Sequence, residues 1–270
     1  GKLTITDLPM GTYEIQETKT LDGLILNTTK YEVKFEQKDL TTKVYDNQLD
    51  VSNDTTLVEF SKTDITGDKE LPGAKLQVID EDGNIIDEWT STESTHKIEG
   101  LKVGSEYTLK EEIAPDGYVI SNEVKFTIKD TNEIQKVNMK DKIVSMSKVD
   151  IGGEEIEGAK LQVFDKNNNL IDEWTSTKEP HKIKNLKENE TYRLHEEIAP
   201  DGYVKATDIE FTVSDKKENE HIELIDKVVE ISKEDISGKE IEGAKLQVID
   251  EEGNVIDEWI STKEPHIVKG

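Results

Sequence analysis

The sequence predicts an all-β protein made of tandem immunoglobulin-like antiparallel β-sandwich repeats that form a rod. Three observations carry this prediction. The same motifs recur at a constant interval, the segments between them are short runs that often alternate in polarity, and no helical periodicity of useful length appears.

The repeat is most visible in its motifs. The segment G-A-K-L-Q-V begins at Gly73, Gly158 and Gly243, and each I-D-E-W ends about 85 residues after the previous one. The longer motif E-E-I-A-P-D-G-Y occurs twice, at 111–118 and 196–203. Such self-similarity indicates a chain of equivalent structural units.

These motifs divide the chain into four parts. Two repeats are complete, unit 1 (56–142) and unit 2 (143–227). The leading half-unit (1–50) resembles only the second half of a repeat, and the trailing half-unit (228–270) only the first half. We therefore expect the chain to be a segment of a longer protein. The linkers are a few residues long, which favours a stiff rod.

Each complete repeat contains seven short strand-like runs separated by turn signals. In unit 1 these signals include E-D-G-N at 81–84 and P-D-G at 115–117. Seven short strands in about 85 residues are typical of an antiparallel sandwich of the immunoglobulin type.

The composition excludes several functions. The net charge is −26 over 270 residues, and phosphate binding needs clustered Lys and Arg, so we expect no nucleic-acid partner. The chain has no cysteine, which excludes disulfides and thiolate metal sites. No apolar run approaches the roughly 20 residues of a membrane span. We also expect no cofactor and no metal, and the strong negative charge favours a soluble monomer.

Three polar residues in each complete repeat share the phase of apolar strand residues. Lys62 is in phase with Val58 and Phe60. Because side chains alternate between the two faces of a strand, this lysine is expected to point toward the core. Glu111 and Asp141 are in phase with apolar neighbours in the same way. The corresponding residues of unit 2 are Lys148, Glu196 and Asp226.

Charge at the end of a strand is common where the strand leaves a sandwich. Three coordinated positions that repeat in two units argue for a chemical reason, since burying uncompensated charges costs several kcal/mol each. An amine in an apolar site loses its proton more easily and becomes a nucleophile. A buried glutamate beside another carboxyl is pushed toward its protonated form and can transfer protons. Held in contact, a lysine amine and an aspartate carboxyl can lose water and form an amide.

The motifs S-K-x-D, L-x-E-E-I-A-P-D-G-Y and a final strand ending in H-I-E-L-I-D resemble the Cna B-type (SpaA-like) domains of Gram-positive surface proteins. The resemblance covers nearly the whole of both complete repeats and the half-units as halves. Members of this family typically form an intramolecular isopeptide bond between Lys and Asn or Asp, assisted by Glu. The resemblance implies these roles for Lys62, Glu111 and Asp141, and for Lys148, Glu196 and Asp226. Asp in place of the commoner Asn implies loss of water rather than ammonia.

The half-units carry parts of the same set. Glu17 of the leading half-unit matches the glutamate. The parallel between N-Q-L and D-K-I favours Asn47 as its acceptor, whereas strand alternation through Val44 favours Asp46. Lys233 of the trailing half-unit matches the lysine. Because the two half-units together supply a glutamate, an acceptor and a lysine, one hypothesis is that the isolated chain joins head to tail.

The resemblance implies a structural stalk segment of a cell-surface adhesin or pilus-like protein, extracellular and attached to the wall of a Gram-positive bacterium. Each complete repeat would be stapled by an autocatalytic Lys–Asp isopeptide bond that forms once, so the chain would not be an enzyme. Neighbouring repeats of the same chain are the expected partners, and a host matrix protein would bind at a tip outside this segment. The alternative is a ligand-binding adhesin module that itself recognises a host matrix protein.

Other conspicuous residues have ordinary structural interpretations. The five histidines lack metal-binding spacing and are expected on the surface. The three strand-ending tryptophans are expected to pack on the core or the sandwich edge. The segment D-E-D-G-N at 80–84 resembles a calcium loop without its terminal Glu, and a hairpin turn explains it better.

Overall fold

A computed structural model describes residues 3–36 and 48–268. The regular secondary structure within these ranges consists of β-strands, and none of the described residues form a helix that could cross a membrane. The leading half-unit contains an antiparallel pair of strands, β1 (Gly11–Ile15) and β2 (Tyr31–Phe35).

Unit 1 is a seven-stranded sandwich. Its strands are β3 (Leu57–Asp64), β4 (Lys75–Ile79), β5 (Ile85–Thr90), β6 (His96–Glu99), β7 (Glu106–Ile113), β8 (Val124–Thr127) and β9 (Gln135–Asp141). They form one sheet in the order β6-β3-β9 and another in the order β5-β4-β7-β8. These strands are the seven runs predicted from the sequence, and the all-β prediction is confirmed.

Unit 2 repeats the same topology. Its strands are β10 (Val144–Val149), β11 (Lys160–Asp165), β12 (Leu170–Thr175), β13 (His181–Lys182), β14 (Thr191–Ile198), β15 (Ile209–Thr212) and β16 (Glu220–Ile225). The sheet orders are β13-β10-β16 and β12-β11-β14-β15. The trailing half-unit forms two pairs of strands, β17 with β20 and β18 with β19, from β17 (Glu230–Ile231), β18 (Lys245–Ile249), β19 (Val255–Ile260) and β20 (His266–Ile267).

One strand pair in each complete unit is parallel rather than antiparallel. The first and last strands, β3 with β9 and β10 with β16, lie side by side and run in the same direction. In unit 1, Lys62 lies opposite Met139, two residues before Asp141. Because the side-chain period of a strand is two, Lys62 and Asp141 lie on the same face and at the same end of the sheet.

The hairpin between the second and third strands of each unit shows how local sequence fixes the fold. The turn requires a left-handed backbone, which Gly83 adopts in unit 1 with a φ of 84°. In unit 2 the equivalent residue is Asn168, with a φ of 59°. Asparagine tolerates this region better than most residues. The sequences D-G-N and N-N-N can therefore close the same turn.

The core of each unit lies between its two sheets. In unit 1, Val58, Phe60, Leu76 and Leu109 are buried in one apolar cluster. Each such side chain contributes about 1.5–3 kcal/mol when fully buried. Val58 and Phe60, which are in phase with Lys62, therefore face the interior as strand alternation predicts.

Unit 1 also contributes to the core of unit 2. Val119, in the loop that follows β7, is fully buried in the apolar cluster of unit 2. The adjacent Ile120 donates its backbone N–H to Leu186 O of unit 2 at 2.9 Å. Two successive residues of unit 1 are thus held by its neighbour. The rod arrangement itself stays a prediction.

The linker residue Lys142 completes this junction. Its side chain is fully buried, and Nζ donates to Ser214 O and Glu220 Oε1, each at 2.5 Å. Glu220 also accepts the Ser214 N–H at 3.0 Å. A buried ammonium needs a charged partner and further acceptors, and unit 2 supplies both.

We predict that Val119→Ala destabilises unit 2, although the residue belongs to unit 1. Truncating a fully buried valine should lower the free energy of unfolding by about 1.5–3 kcal/mol. Urea unfolding followed by Trp174 fluorescence, with the other two tryptophans replaced by Phe, reports this unit. The control is Val204→Ala, because Val204 is the equivalent residue of unit 2 and is 48% exposed. Equal effects of the two substitutions would contradict the prediction.

Candidate functional site

The three polar residues predicted to face the core of unit 1 meet inside it. Lys62, Glu111 and Asp141 come from β3, β7 and β9 and are 2%, 3% and 0% exposed. Lys62 Nζ is in direct contact with Asp141 Oδ1 and lies 2.8 Å from Glu111 Oε1. The parallel pairing of β3 with β9 brings the amine to the acceptor, and β7 adds the glutamate from the opposite sheet.

Unit 2 contains the same cluster. Lys148 Nζ is in direct contact with Asp226 Oδ1 and lies 3.2 Å from Glu196 Oε1. All three residues are 1% exposed. The sequence prediction that each complete unit brings one lysine, one glutamate and one aspartate together is therefore matched by the geometry.

A residue that sequence analysis missed holds both carboxyl groups of unit 1. The Ser121 N–H donates to Glu111 Oε2 at 2.8 Å. The Ser121 hydroxyl lies 2.8 Å from Asp141 Oδ1 and 2.6 Å from Lys140 O, so its single proton is shared between two acceptors. In unit 2 the equivalent N–H, from Ala206, donates to Glu196 Oε2 at 2.6 Å, and alanine supplies no hydroxyl.

Among the described residues, one oxygen of each cluster's aspartate is buried without a hydrogen bond, and one oxygen of each glutamate is paired only with the lysine amine. A buried acceptor without a donor costs about 1–3 kcal/mol. Loss of a carboxyl oxygen and conversion of the amine to an amide would remove much of this cost. The oxygens without a hydrogen bond are Asp141 Oδ2 and Asp226 Oδ2, and those paired only with the amine are Glu111 Oε1 and Glu196 Oε1.

Burial raises the pKa of Glu111 to about 8, and the neighbouring Asp141 carboxyl adds to the rise while Lys62 opposes it. Burial also raises the pKa of Glu196. The Glu111 carboxyl is therefore held protonated at neutral pH. Such a group can donate a proton to the acceptor carboxyl and receive one from the amine.

Glu17 of the leading half-unit has a different environment. It is half-buried, and hydrogen bonds from the Asn27 N–H at 2.8 Å and from Asn53 Nδ2 at 2.6 Å lower its pKa. The acceptor candidates Asn47 and Asp46 lie outside the described residues, so the choice between them stays a prediction.

Asn53 was not found by sequence analysis, yet it occupies the position of Asp141. The Ile25 N–H donates to Asp54 O at 2.8 Å, as the Val119 N–H donates to Lys142 O at 3.0 Å in unit 1. Asn53 precedes Asp54 as Asp141 precedes its own linker residue. The linker after Asn53 is longer than the one after Asp141, which obscured this match in the sequence.

Lys233 of the trailing half-unit is half-buried. Its backbone N–H donates to Glu240 Oε2 at 3.1 Å, and among the described residues its amine has no ion-pair partner. The structure therefore does not bring it to a glutamate or an acceptor, and its assigned role stays a prediction.

The surface prediction for the histidines is wrong for four of the five, because His96, His181, His195 and His266 are half-buried and His221 is exposed. The ring of His96 stacks on Trp89 with ring centroids 4.2 Å apart, and its Nε2 is hydrogen-bonded to Asp87 Oδ2 at 2.7 Å. The same triad of Asp, Trp and His recurs in unit 2 and in the trailing half-unit. The spacing of the histidine seven residues after the tryptophan was the available signal. The tryptophan prediction is confirmed for Trp89 and Trp174, which pack against the cores of units 1 and 2.

The calcium-like loop is a hairpin turn. Asp80 Oδ1 accepts the backbone N–H groups of Asp82 and Asn84 at 3.0 and 2.8 Å. The carboxylate thus closes its own turn.

Comparison with known families agrees with the resemblance seen in the sequence. The family model of the SpaA prealbumin-like fold domain matches residues 1–49, 56–143 and 142–228. The chain belongs to this family. The resemblance to SpaA-like domains predicted from the sequence is confirmed.

Solved structures with a similar fold include three proteins of Gram-positive bacteria. The Bacillus anthracis TIE protein is 23% identical, with a TM-score of 0.36, over 82% of this chain and 42% of its own length. The shaft pilin SpaA from Lactobacillus rhamnosus GG is 14% identical, with a TM-score of 0.33, over 66% of this chain and 99% of its own length. BcpA, the major pilin subunit of Bacillus cereus, is 13% identical, with a TM-score of 0.29, over 64% of this chain and 99% of its own length. No curated protein sequence matches the chain.

We predict that a Lys62→Met chain, which cannot form the amide in unit 1, loses stability as the pH rises from about 5 to 8. Folded unit 1 keeps a proton on Glu111 that the unfolded chain releases above its ordinary pKa of 4.5. The folded state therefore binds more protons in this window, and the free energy of unfolding falls by up to about 1.4 kcal/mol per pH unit.

The measurement is urea unfolding of unit 1, followed by Trp89 fluorescence with the other two tryptophans replaced by Phe. The matched control is Lys62→Met with Glu111→Gln, because an amide does not titrate and the fall should be shallower. The same slope in both chains would show that Glu111 does not carry the proton.

Proposed function

We propose that the chain is a structural stalk segment of a Gram-positive surface adhesin or pilus-like protein, in which each complete unit is stapled by an autocatalytic Lys–Asp isopeptide bond. The observation that carries the proposal is the buried contact of a lysine amine with an aspartate carboxyl beside a buried glutamate, present in both units. Membership of the SpaA family supports the structural role.

The reaction balances within each unit. One proton of the Lys62 ammonium passes to the Asp141 carboxylate, and the resulting neutral amine attacks the side-chain carbonyl carbon of Asp141 to form a C–N bond. The C–O bond to one carboxyl oxygen breaks, and that oxygen leaves as water. Glu111 gives a proton to the departing oxygen and takes one from the amine, so it is unchanged at the end. Contact distance and burial supply much of the rate enhancement.

The product would constrain the unfolded chain strongly. Lys62 and Asp141 are 79 positions apart, and Lys148 and Asp226 are 78 apart. By the chain-entropy relation used for disulfides, closing a loop of this length stabilises the fold by roughly 4–5 kcal/mol. Typical domains have a total stability of about 5–15 kcal/mol. For thin sandwiches in a highly acidic, cysteine-free chain, this is a large share.

The position of the bond suits a load-bearing spacer. The chain enters each unit at its first strand and leaves at its last, and these two strands are neighbours in one sheet. A covalent bond between them would carry tension directly from entry to exit. The five intervening strands would be bypassed and would stay folded under force. A one-time reaction that serves this purpose has no turnover substrate, so the chain is not an enzyme on this proposal.

The stalk role implies an extracellular, wall-attached location, with neighbouring repeats as the main partners. The contacts of Val119 and Lys142 with unit 2 support repeat-to-repeat association. A host ligand would then bind at a tip outside this segment. A ligand-binding adhesin module is the alternative, and the repetition of one cluster at one place in both units favours the spacer.

The crosslinks can be counted by intact mass. We predict that the denatured chain weighs two waters less than its sequence mass. Glu111→Ala and Glu196→Ala should each restore one water, because each removes the proton carrier of one unit, and the double variant should restore both. Glu112→Ala, a neighbouring exposed carboxylate, is the control and should leave the deficit unchanged. The full sequence mass in the parent chain would refute the staples.

The mechanical role can be tested by pulling single molecules from their ends. We predict that units 1 and 2 of the parent chain show no unfolding extension, because the bond between first and last strands bypasses the rest. A Glu111→Ala chain should release the length of unit 1 alone. Unfolding of both units in a parent chain of confirmed reduced mass would contradict the load-bearing role.

A further inference from the structure

The loop at 119–122 of unit 1 has one side in the crosslinking cluster. Ser121 is 6% exposed and supplies both an N–H to Glu111 and a hydroxyl to Asp141. Apart from Lys62 itself, Ser121 is the described residue that hydrogen-bonds both carboxyl groups of this cluster. The position of this loop therefore sets the position of the proton carrier relative to the acceptor.

The other side of the same loop is held by unit 2. Val119 lies in the core of unit 2, and the Ile120 N–H donates to Leu186 O at 2.9 Å. On the far side of Ser121, the Asn122 N–H donates to Glu188 Oε2 at 3.0 Å. The Glu188 N–H also donates to Ile120 O at 3.3 Å. Residues on both sides of Ser121 are thus anchored to the neighbouring unit.

Glu188 is built for this contact. Its side chain is 1% exposed, and Lys217 Nζ pairs with Oε1 at 2.6 Å while Oε2 accepts Asn122. Unit 1 has Val103 at the equivalent position. A cleft of about 390 Å³ at this boundary is lined by Glu111, Ser121 and Glu188, among others. The crosslinking cluster of unit 1 therefore lies at the junction between the units.

We propose that Ser121 is a positioning residue for crosslinking in unit 1 and that docking of unit 2 puts it in place, so that the C-terminal neighbour completes the site. This inference rests on the proposed isopeptide function. The chemical consequence is an order of events: the staple of unit 1 closes after unit 2 has folded against it. Units would then be locked in their assembled arrangement.

The physical basis is the cost of ordering the loop. Fixing the backbone of a free residue costs about 1–2 kcal/mol, and the contacts from unit 2 offset this for the residues around Ser121. A displacement of about 1 Å from a reactive geometry can reduce a rate by about a hundredfold. Without its anchors, the loop would no longer hold the Glu111 carboxyl against the Lys62 amine.

Unit 2 offers a natural contrast. Ala206 replaces the serine, and Val204, the counterpart of the buried Val119, is 48% exposed. Crosslinking in unit 2 therefore proceeds without the hydroxyl and without a buried valine anchor. It serves as an internal reference for reactions confined to unit 1.

The test follows crosslinking in the full chain during cell-free synthesis, with samples quenched in acid and denaturant. After proteolysis, the amounts of linear peptide that carry Lys62 and Lys148 measure the uncrosslinked fractions of unit 1 and unit 2 separately. We expect Ser121→Ala to slow crosslinking of unit 1 by at least about tenfold without affecting unit 2. Ser121→Thr, which keeps a hydroxyl, should restore most of the rate.

Glu188→Ala tests the role of the neighbour, because it removes an anchor that belongs to unit 2. We expect it to slow unit 1 and leave unit 2 at the parent rate. Parent rates for unit 1 in both Ser121→Ala and Glu188→Ala would overturn the inference, as would an equal slowing of both units by Glu188→Ala. If neither unit of the parent chain crosslinks, the proposed function itself fails, and the two failures are thus distinguishable.

Discussion

An amine and two carboxyl groups lie in the interior of each complete unit. Burying them costs desolvation free energy, and the surrounding strands place the three groups where they compensate one another. The parallel pairing of β3 with β9 brings Lys62 against Asp141, and the opposite sheet adds Glu111. Several kcal/mol per buried ion would otherwise be lost. Holding Glu111 neutral lowers that cost, and conversion of the amine and carboxyl to an amide would remove most of the remainder.

At the junction between the units, a buried charge is again compensated by neighbouring groups. Lys142, the residue after Asp141, is buried and is paired with hydrogen-bond acceptors of unit 2. Val119, a few residues before Ser121, is buried in the core of unit 2. The end of unit 1 that holds Lys62, Glu111 and Asp141 is therefore also the end that joins the next unit. Crosslink and junction together would form one continuous path for tension.

Much of this arrangement could be predicted from the sequence, because strand alternation has a strict period of two. Lys62, Glu111 and Asp141 were found by their phase alone, and the seven strands of a unit by their turn signals. Contacts between units have no such period, so Val119 and Ser121 gave no comparable signal. Asn53 was missed because a longer linker shifts it relative to the motif, and the stacked histidines were missed because their burial depends on a neighbouring strand.

In the proposed reaction, the buried amine of Lys62 and the carboxyl of Asp141 become one amide. The most direct measurement is fragmentation mass spectrometry of a protease digest made under denaturing conditions. We expect a branched peptide that joins the Lys62 segment to the Asp141 segment with the loss of one water, and a second that joins the Lys148 segment to the Asp226 segment. Recovery of these four segments only as unmodified linear peptides would show that the two amides do not form.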